Sequence, residues 1–384
     1  GCFVIMRRPM KSWKCQTVLS AFSRGTETNC MPTTNGLNGG SHSTEAEMII
    51  RDSILRDMAK LVAWYPLRWC VTISPWRLAY FFGKAVGLAD SFILRERPNR
   101  IAKNLMASQG SCITETKARQ IARQNIQRHY IEHMEFYKFA ALTSANLSRH
   151  IKFEGIHNLE EALKTGRGAI LVHMHYGCKQ FPLVALGLMG YDVSQIGYRD
   201  EYAKDYSWVH KNVHLRIRLR LENQFKTRHI HIGTSLRPAY ETLKHNGILM
   251  ITGDGIGGIR GAGENYISLP FLGRTMLFPP GPARMARTTG AALLPLVCVQ
   301  QSDFTHKAII ETPIRCLRTD NRNADIRQNT AEYARVFEVY IKRHPEHWMF
   351  WEEFQEGCLI PKAGSCNELH NDEIIGTNHK IMIS

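Results

Sequence analysis

The fold of this chain is decided by the stretch Gly168-Ala-Ile-Leu-Val-His-Met-His175-Tyr-Gly-Cys-Lys-Gln180. Its apolar run, rich in Ile, Leu and Val, ends in two histidines, which are followed by a polar turn that contains Gly177. Short apolar runs bounded by turn residues are typical of buried strands, and open α/β sheets bind their ligands at the carboxyl ends of such strands. The stretch therefore predicts a strand at residues 168–174 that presents His175 to a functional site.

The sequence on both sides of this strand alternates between apolar runs and helical patterns. A helix is predicted next, from near Phe181 to Met189, and Pro182 is tolerated because it lies in the first turn. A basic region up to Phe225 is also predicted to be helical. A short strand and turn followed by a helix are predicted at 154–164. Further strands are predicted at 192–197, 247–252, 266–269 and 292–299, and further helices at 235–245, 282–289 and 326–343. Alternating strands and helices indicate an α/β fold, here a central mixed sheet flanked by helices.

Composition divides the 384 residues into four parts. Residues 25–43 are rich in Gly, Ser, Thr and Asn, which is typical of a flexible linker. The residues that follow are aromatic and basic, and they read as a helical hairpin ahead of the sheet. We predict a flexible leader at 1–45, the hairpin at 46–95, the α/β domain at 96–355 and a tail at 356–384.

The chain is strongly basic, because 49 Lys and Arg residues against 34 Asp and Glu residues give a formal net charge of +15. Such an excess attracts polyanions, which include nucleic acids, anionic lipid surfaces and phosphorylated substrates. Nucleic acid is disfavoured, since the sequence has neither zinc-finger spacing nor an aromatic RNA-binding signature. The ten cysteines are scattered without a C-x-x-C pair, which suits reduced thiols in a cytosolic setting better than a disulfide framework.

Aromatic and basic residues are interspersed in the predicted hairpin. The segments Leu61-Val-Ala-Trp-Tyr-Pro-Leu-Arg-Trp69 and Trp76-Arg-Leu-Ala-Tyr-Phe-Phe-Gly-Lys84 combine Trp, Tyr, Arg and Lys, as helices in a membrane interface do. Their Arg and Lys side chains can snorkel to lipid headgroups. No uninterrupted apolar run reaches the ~18–20 residues that a membrane-spanning helix needs. A core hairpin packed on the main domain is the alternative, and the sequence leaves both open.

His175 has several chemical interpretations besides a purely structural one. At a strand end it can act as a general base that a neighbouring carboxylate orients. With His173 it forms an H-x-H pair, to which His229 and His231 could add metal ligands, although no Asp or Glu has the accompanying spacing. Cys178 could form a thiolate–imidazole nucleophile with it, but a single Cys at a helix start is more often a small packing residue.

An acidic residue follows the strand predicted at 247–252. The sequence Gly253-Asp-Gly-Ile-Gly-Gly258 matches G-x-G-x-x-G, but the Gly-rich residues after it do not open a helix, so we reject a dinucleotide site. Asp254 comes directly after the strand, and two adjacent strands would bring it beside His175 as the orienter of a base. An ordinary Asp–Gly turn is the alternative.

Several motifs follow one another in a fixed order along the chain. They are Arg100-Ile-Ala-Lys-Asn104, Tyr130-Ile-Glu-His-Met-Glu135, the block at His175, Tyr198-Arg199, Asp254, Phe271-Leu-Gly-Arg-Thr275 with Pro280-Gly-Pro-Ala-Arg284, and His344-Pro-Glu-His-Trp348. With the aromatic hairpin, they resemble the bacterial lysophospholipid acyltransferase superfamily, and within it the lipid A lauroyl/myristoyl acyltransferase branch. The resemblance extends over roughly residues 61–354.

The resemblance implies direct transfer of a fatty acyl group from an acyl carrier protein or CoA thioester to a hydroxyl of a glycolipid or lysolipid, without a cofactor or a metal. It makes His175 the base, and Asp254 is then the acid that orients it. Arg199 and, more weakly, Arg274 are implied to hold phosphate or developing negative charge. The implied partner is an anionic membrane surface, with the protein on the cytoplasmic face of the inner membrane.

Gln180 departs from the pattern of that family, in which an Asp or Glu follows the His by five residues. A neutral amide can orient His175 as a supporting residue, but it cannot stabilise the imidazolium as an anion does. Three explanations follow: Asp254 supplies the charge, the enzyme is slow, or the chain has lost catalysis and kept lipid binding. We expect the first.

Overall fold

The structure is a computed structural model that describes residues 54–197, 207–217, 220, 225, 227–232, 235–255, 266–356 and 358–361. The predicted leader, the first eight residues of the predicted hairpin and most of the predicted tail lie outside these ranges, as does Arg199.

Nine strands are present in the described ranges. They are β1 Ile151–Glu154, β2 Ala169–His173, β3 Val193–Gly197, β4 Arg228–His231, β5 Ile248–Thr252, β6 Ile267–Phe271, β7 Arg274–Phe278, β8 Ala292–Gln300 and β9 His306–Ile310. Seven of them form one sheet in the order β1-β9-β8-β2-β5-β3-β4, and β6 and β7 form a separate antiparallel pair. Within the large sheet β8 and β9 are antiparallel, whereas all the other pairs of adjacent strands are parallel. The predicted α/β fold with a central mixed sheet is confirmed.

Helices cover both faces of this sheet. They are α1 Ile54–Val62, α2 Arg68–Ile73, α3 Trp76–Ile93, α4 Glu96–Gln109, α5 Glu115–Lys138, α6 Ile156–Lys164, α7 Gln180–Leu188, α8 Arg237–Lys244, α9 Gly281–Thr289 and α10 Arg322–Arg343. π-Helical segments occur at Ala63–Leu67 and His210–Leu215, and 3-10 turns at Gly110–Cys112, Phe139–Ala141, Leu147–Arg149, Pro345–His347 and Met349–Trp351.

Strand β2 lies at the centre of the sheet and is buried on both faces. Ile170 and Val172 belong to one buried apolar cluster, and Ala169 and Leu171 belong to the other. This alternation follows from the two-residue repeat of a strand. A strand with helices on both sides reads as a continuous apolar run, which is why its position was predictable from the sequence.

Helices α1, α2 and α3 lie in the described part of the predicted hairpin. Helix α3 packs closely along α5. The close approach is seen at Gly87, where an added Cβ would lie only 2.6 Å from the Cα of Gln127. The opposite face of the hairpin is apolar and exposed, as Ile73 (85% exposed) and Phe81 (67%) illustrate. No helix in the described part of the chain is long and apolar enough to cross a membrane. The hairpin therefore packs on the α/β core through one face and leaves an apolar face uncovered.

Three strands were not predicted. Strand β4 is an edge strand with the polar sequence Arg-His-Ile-His, and it lies just beyond the region up to Phe225 that was predicted to be helical. The described residues of that region include the π-helical segment His210–Leu215. Strand β7 forms a hairpin with β6, and β9 lies antiparallel to β8. These strands depend on their pairing partners more than on a local apolar run, so the sequence pattern alone did not indicate them.

Candidate active site

Two neighbouring strands end together at the carboxyl edge of the sheet. Strands β2 and β5 are parallel and in register, so that His173 lies opposite Thr252. The backbone N–H of Gly253 donates to the carbonyl of His173 over 2.7 Å, which continues the pairing by one step. His175 and Asp254 each lie two residues beyond their strand, and the sheet therefore brings them side by side.

Asp254 contacts His175 through two different groups. The backbone N–H of His175 donates to Oδ1 and Oδ2 of Asp254 over 3.1 and 3.0 Å, and the ring Nδ1 lies 2.8 Å from Oδ1. Asp254 is completely buried, whereas the side chain of His175 is 22% exposed. The carboxylate thus lies behind the imidazole, on its buried side.

The charges of the pair follow from these contacts. Burial alone would raise the pKa of Asp254, but the pairing with His175 and hydrogen bonds from His175 and Trp348 outweigh it and lower that pKa. An ionised carboxylate can only accept, so Nδ1 of His175 is the donor. Burial and the charge of Lys179 lower the pKa of His175 despite the opposing effect of Asp254. At neutral pH the ring is therefore uncharged, and its Nε2 has a free lone pair.

The turn after His175 depends on a glycine. Gly177 has a φ of +59°, a backbone conformation that favours glycine. A Cβ at this position would lie 1.9 Å from the carbonyl oxygen of Cys298 on β8. The segment that carries His175 is therefore held tightly against the sheet.

The segment that follows α10 covers the other side of His175. The backbone N–H of Met349 donates to the carbonyl of His175 over 2.8 Å, and the ring of Phe350 lies 4.2 Å from the imidazole between centroids. The indole Nε1 of Trp348 donates to Oδ2 of Asp254 over 3.0 Å. Trp348 belongs to the motif His344-Pro-Glu-His-Trp348, and only the fold brings it to the site.

The predicted motif Arg100-Ile-Ala-Lys-Asn104 holds that segment in place. The side-chain amide of Asn104 donates to the carbonyl of Trp351 over 2.7 Å. Arg100 forms an ion pair with Glu352, which also pairs with Arg97 over 3.1 Å. The Arg-x-x-x-Asn motif of α4 therefore contacts the chain next to the site and does not contact the His–Asp pair itself.

Gln180 lies in a different environment from the His175–Asp254 pair. It begins α7 and lines a small apolar cavity with Phe136, Phe139 and Phe225. Within the residues that the structure describes, no hydrogen bond joins Gln180 to His175 or to Asp254. The position at which the resemblance implies an acid thus faces an apolar environment, in which a neutral amide is less costly to bury than a carboxylate.

The two predicted arginines cannot be assigned to the site from their contacts. Arg199 lies outside the described residues. Arg274 begins β7, where its guanidinium donates to the carbonyl of Phe354 over 3.1 Å and lies over the ring of Phe354. Arg274 is therefore engaged with the C-terminal segment.

The alternatives to a general base have little geometric support. His229 and His231 lie on β4, which is separated from β2 by two strands and hence by about 14 Å. No group of three or more His, Cys, Asp and Glu side chains in the described ranges is arranged to hold a metal ion. Cys178 is buried, and its burial raises the pKa of the thiol well above the usual value. Its thiolate is disfavoured at neutral pH.

A neutral imidazole with a buried carboxylate behind it can accept a proton at Nε2 and be stabilised once charged. The fold and the site thus define an α/β protein with a His–Asp pair at the carboxyl edge of its sheet. The chain belongs to the bacterial lipid A biosynthesis acyltransferase family, whose model matches residues 55–353. No curated protein matches the chain. The resemblance stated from the motifs is confirmed at the level of the family.

Proposed function

We propose that this protein transfers a fatty acyl group from an acyl thioester, carried by acyl carrier protein or CoA, to a hydroxyl of a lipid A-like or lysolipid acceptor. His175 acts as the general base. The observation that carries this proposal is the 2.8 Å contact between Nδ1 of His175 and Oδ1 of Asp254, since it leaves Nε2 available to the substrate.

The reaction proceeds without an acyl-enzyme. Nε2 of His175 takes the proton of the acceptor hydroxyl while its oxygen attacks the thioester carbonyl carbon and forms a tetrahedral oxyanion. The C–S bond then breaks, and the leaving thiolate takes the proton back from Nε2. Asp254 stabilises the imidazolium that exists between the two steps. Arg199 and Arg274 remain candidates for holding the oxyanion or a substrate phosphate.

We further propose that the protein acts at the surface of an anionic membrane, on the cytoplasmic face of the inner membrane. Exposed apolar side chains recur every three or four residues along the first hairpin segment, which places them on one helical face. They are Ile54, Met58, Val62, Tyr65, Trp69 and Ile73. An apolar stripe of this length on a chain with a net charge of +15 suits binding to a membrane, whose interior is apolar and whose surface is anionic.

Vesicle binding tests this second proposal. Ile73→Ser is expected to weaken partition onto anionic vesicles, whereas Val339→Ser, which removes a 55% exposed β-branched residue from α10, is expected to leave it unchanged. Equal partition of the two variants would contradict the proposed membrane face.

Gln180 supports a second candidate function, a lipid-binding protein that has lost catalysis, because the family's acid is missing at that position. An acyl-transfer assay separates the two. The protein is incubated with a bacterial lipid extract and an acyl thioester of acyl carrier protein or CoA that is radiolabelled in its acyl chain. A new labelled lipid is expected. His175→Ala is expected to abolish it, and His245→Ala, at a 72% exposed histidine, to leave it unchanged. Lipid binding without any labelled product would favour the silent alternative.

A further inference from the structure

The segment after α10 pairs with the segment that carries the base. Tyr176 and Trp348 form an antiparallel bridge. On either side of it, the N–H of Gly177 donates to the carbonyl of His347 over 2.9 Å and the N–H of Met349 donates to the carbonyl of His175 over 2.8 Å. The backbone of Trp348 is therefore fixed relative to the backbone of His175.

Trp348 reaches Asp254 from this position. Its indole N–H donates to Oδ2. Among the residues that the structure describes, the only other donor to Oδ2 is the backbone N–H of His175, which Oδ1 shares. Both Trp348 and Asp254 are completely buried, so bulk solvent does not contact Oδ2. Without this donor Oδ2 would keep a single shared hydrogen bond.

The orientation of the indole is also fixed. The rings of Phe271, Trp351 and Phe354 contact that of Trp348 edge-on at centroid distances of 5.9, 4.9 and 5.3 Å. The side-chain amide of Asn125 donates to the carbonyl of Trp348 over 2.7 Å. A donor held by both backbone and ring contacts can hold a carboxylate in one rotamer.

We propose that Trp348 is a positioning residue, which acts by holding the Asp254 carboxylate in the orientation that keeps the proton of His175 on Nδ1. The effect of Trp348 on kcat rests on the proposed acyl transfer. The positioning role assigns a function to the closing His-Pro-Glu-His-Trp motif: the last helix and the turn after it bring a neutral donor to the far side of the catalytic acid.

The chain contains a matched control. Trp351 is also completely buried, and its indole N–H donates over 2.6 Å to the carbonyl of Pro345, a backbone group outside the His–Asp pair. Trp348→Phe and Trp351→Phe each remove one buried indole donor from the same aromatic cluster. Trp348→Phe is expected to lower kcat about 10- to 100-fold with little change in KM. Trp351→Phe is expected to lower kcat less, because a Phe ring at position 351 still packs beside Trp348 and leaves the indole N–H of Trp348 on Asp254.

A double-mutant cycle tests whether Trp348 acts through Asp254. In an Asp254→Asn background, Trp348→Phe is expected to cause little further loss of kcat, because the group it positions is already altered. Equal losses from the two Trp variants, or a Trp348→Phe effect that multiplies fully with that of Asp254→Asn, would overturn the proposal. If Trp348→Phe does not fold, incorporation of 3-benzothienylalanine at position 348 keeps the shape of the indole and removes only its N–H, and the same reduction of kcat is expected.

The tautomer of His175 gives a readout that does not require activity. ¹⁵N NMR of the ring is expected to show Nδ1 protonated in the unaltered protein and in Trp351→Phe, and a mixture of tautomers in Trp348→Phe. An unchanged tautomer in Trp348→Phe would refute the positioning role. Absence of acyl transfer by the unaltered protein would instead refute the proposed function and leave the NMR comparison valid.

Discussion

Asp254 binds His175 at two points, the backbone N–H and the ring Nδ1, within 2.8–3.1 Å. One buried carboxylate thereby fixes both the position of the main chain and the tautomer of the ring. Such a double contact requires that the two residues leave neighbouring parallel strands at the same height, which β2 and β5 provide through their register. The consequences can be measured.

Asp254→Asn is expected to lower kcat/KM by roughly 10²–10⁴-fold, because an amide of the same shape neither stabilises the imidazolium nor selects the tautomer. Steady-state kinetics with the thioester donor measures the loss. Asp192→Asn, at an exposed acid that pairs with Arg228, serves as the control and is expected to keep full activity. An Asp254→Asn enzyme with full activity would eliminate the His–Asp mechanism.

Gln180→Glu restores the acid found in the family, yet it is expected to give no gain in rate. The side chain lies among Phe136, Phe139 and Phe225, where an ionised carboxylate is less favourable than the neutral amide. Urea unfolding is expected to show this loss of stability, while Gln180→Met is expected to be tolerated. A tenfold or greater gain in kcat for Gln180→Glu would show that this position reaches His175 in the working enzyme.

The pH–rate profile depends on His175. Burial and Lys179 lower the pKa of its ring below the usual 6.5, so kcat/KM is expected to stay constant near neutrality and to fall only at a pH below that usual value. Lys179→Gln removes a neighbouring positive charge, which raises the pKa of His175 and moves the acid limb to higher pH. Lys164→Gln, at an exposed lysine, is expected to leave the profile unchanged. A shift of the Lys179→Gln profile to lower pH would contradict this account.

Stability is expected to fall when the pH drops below 6.5. Burial lowers the pKa of His173 to about 3 and that of His347 well below its usual value. The unfolded chain therefore takes up protons there that the folded chain does not, and unfolding becomes more favourable by up to about 1.4 kcal/mol per pH unit for each histidine. Urea unfolding at pH 7.0 and 5.5 measures this slope. His347→Gln is expected to reduce it, and His157→Gln, at an exposed histidine, to leave it unchanged.

The apolar strands and the helices behind them were predictable, because a buried strand and an amphipathic helix each have a local periodicity. Strands 169–173, 193–197, 248–252 and 292–300 were predicted within one residue at each end. Strand β4 was missed because it is polar and lies at the sheet edge, where pairing replaces burial as the cause of its conformation.

The sequence by itself determined the class of fold, the position of His175 at a strand end and, through the order of its motifs, the family. Only the tertiary structure decided which groups surround His175. Gln180, five residues away, faces Phe136 and Phe139, whereas Asp254, 79 residues away, contacts the imidazole. Trp348 lies another 94 residues along the chain. The reason is physical: local patterns reflect burial and periodicity, but the partners of a side chain depend on which strands become neighbours and in what register.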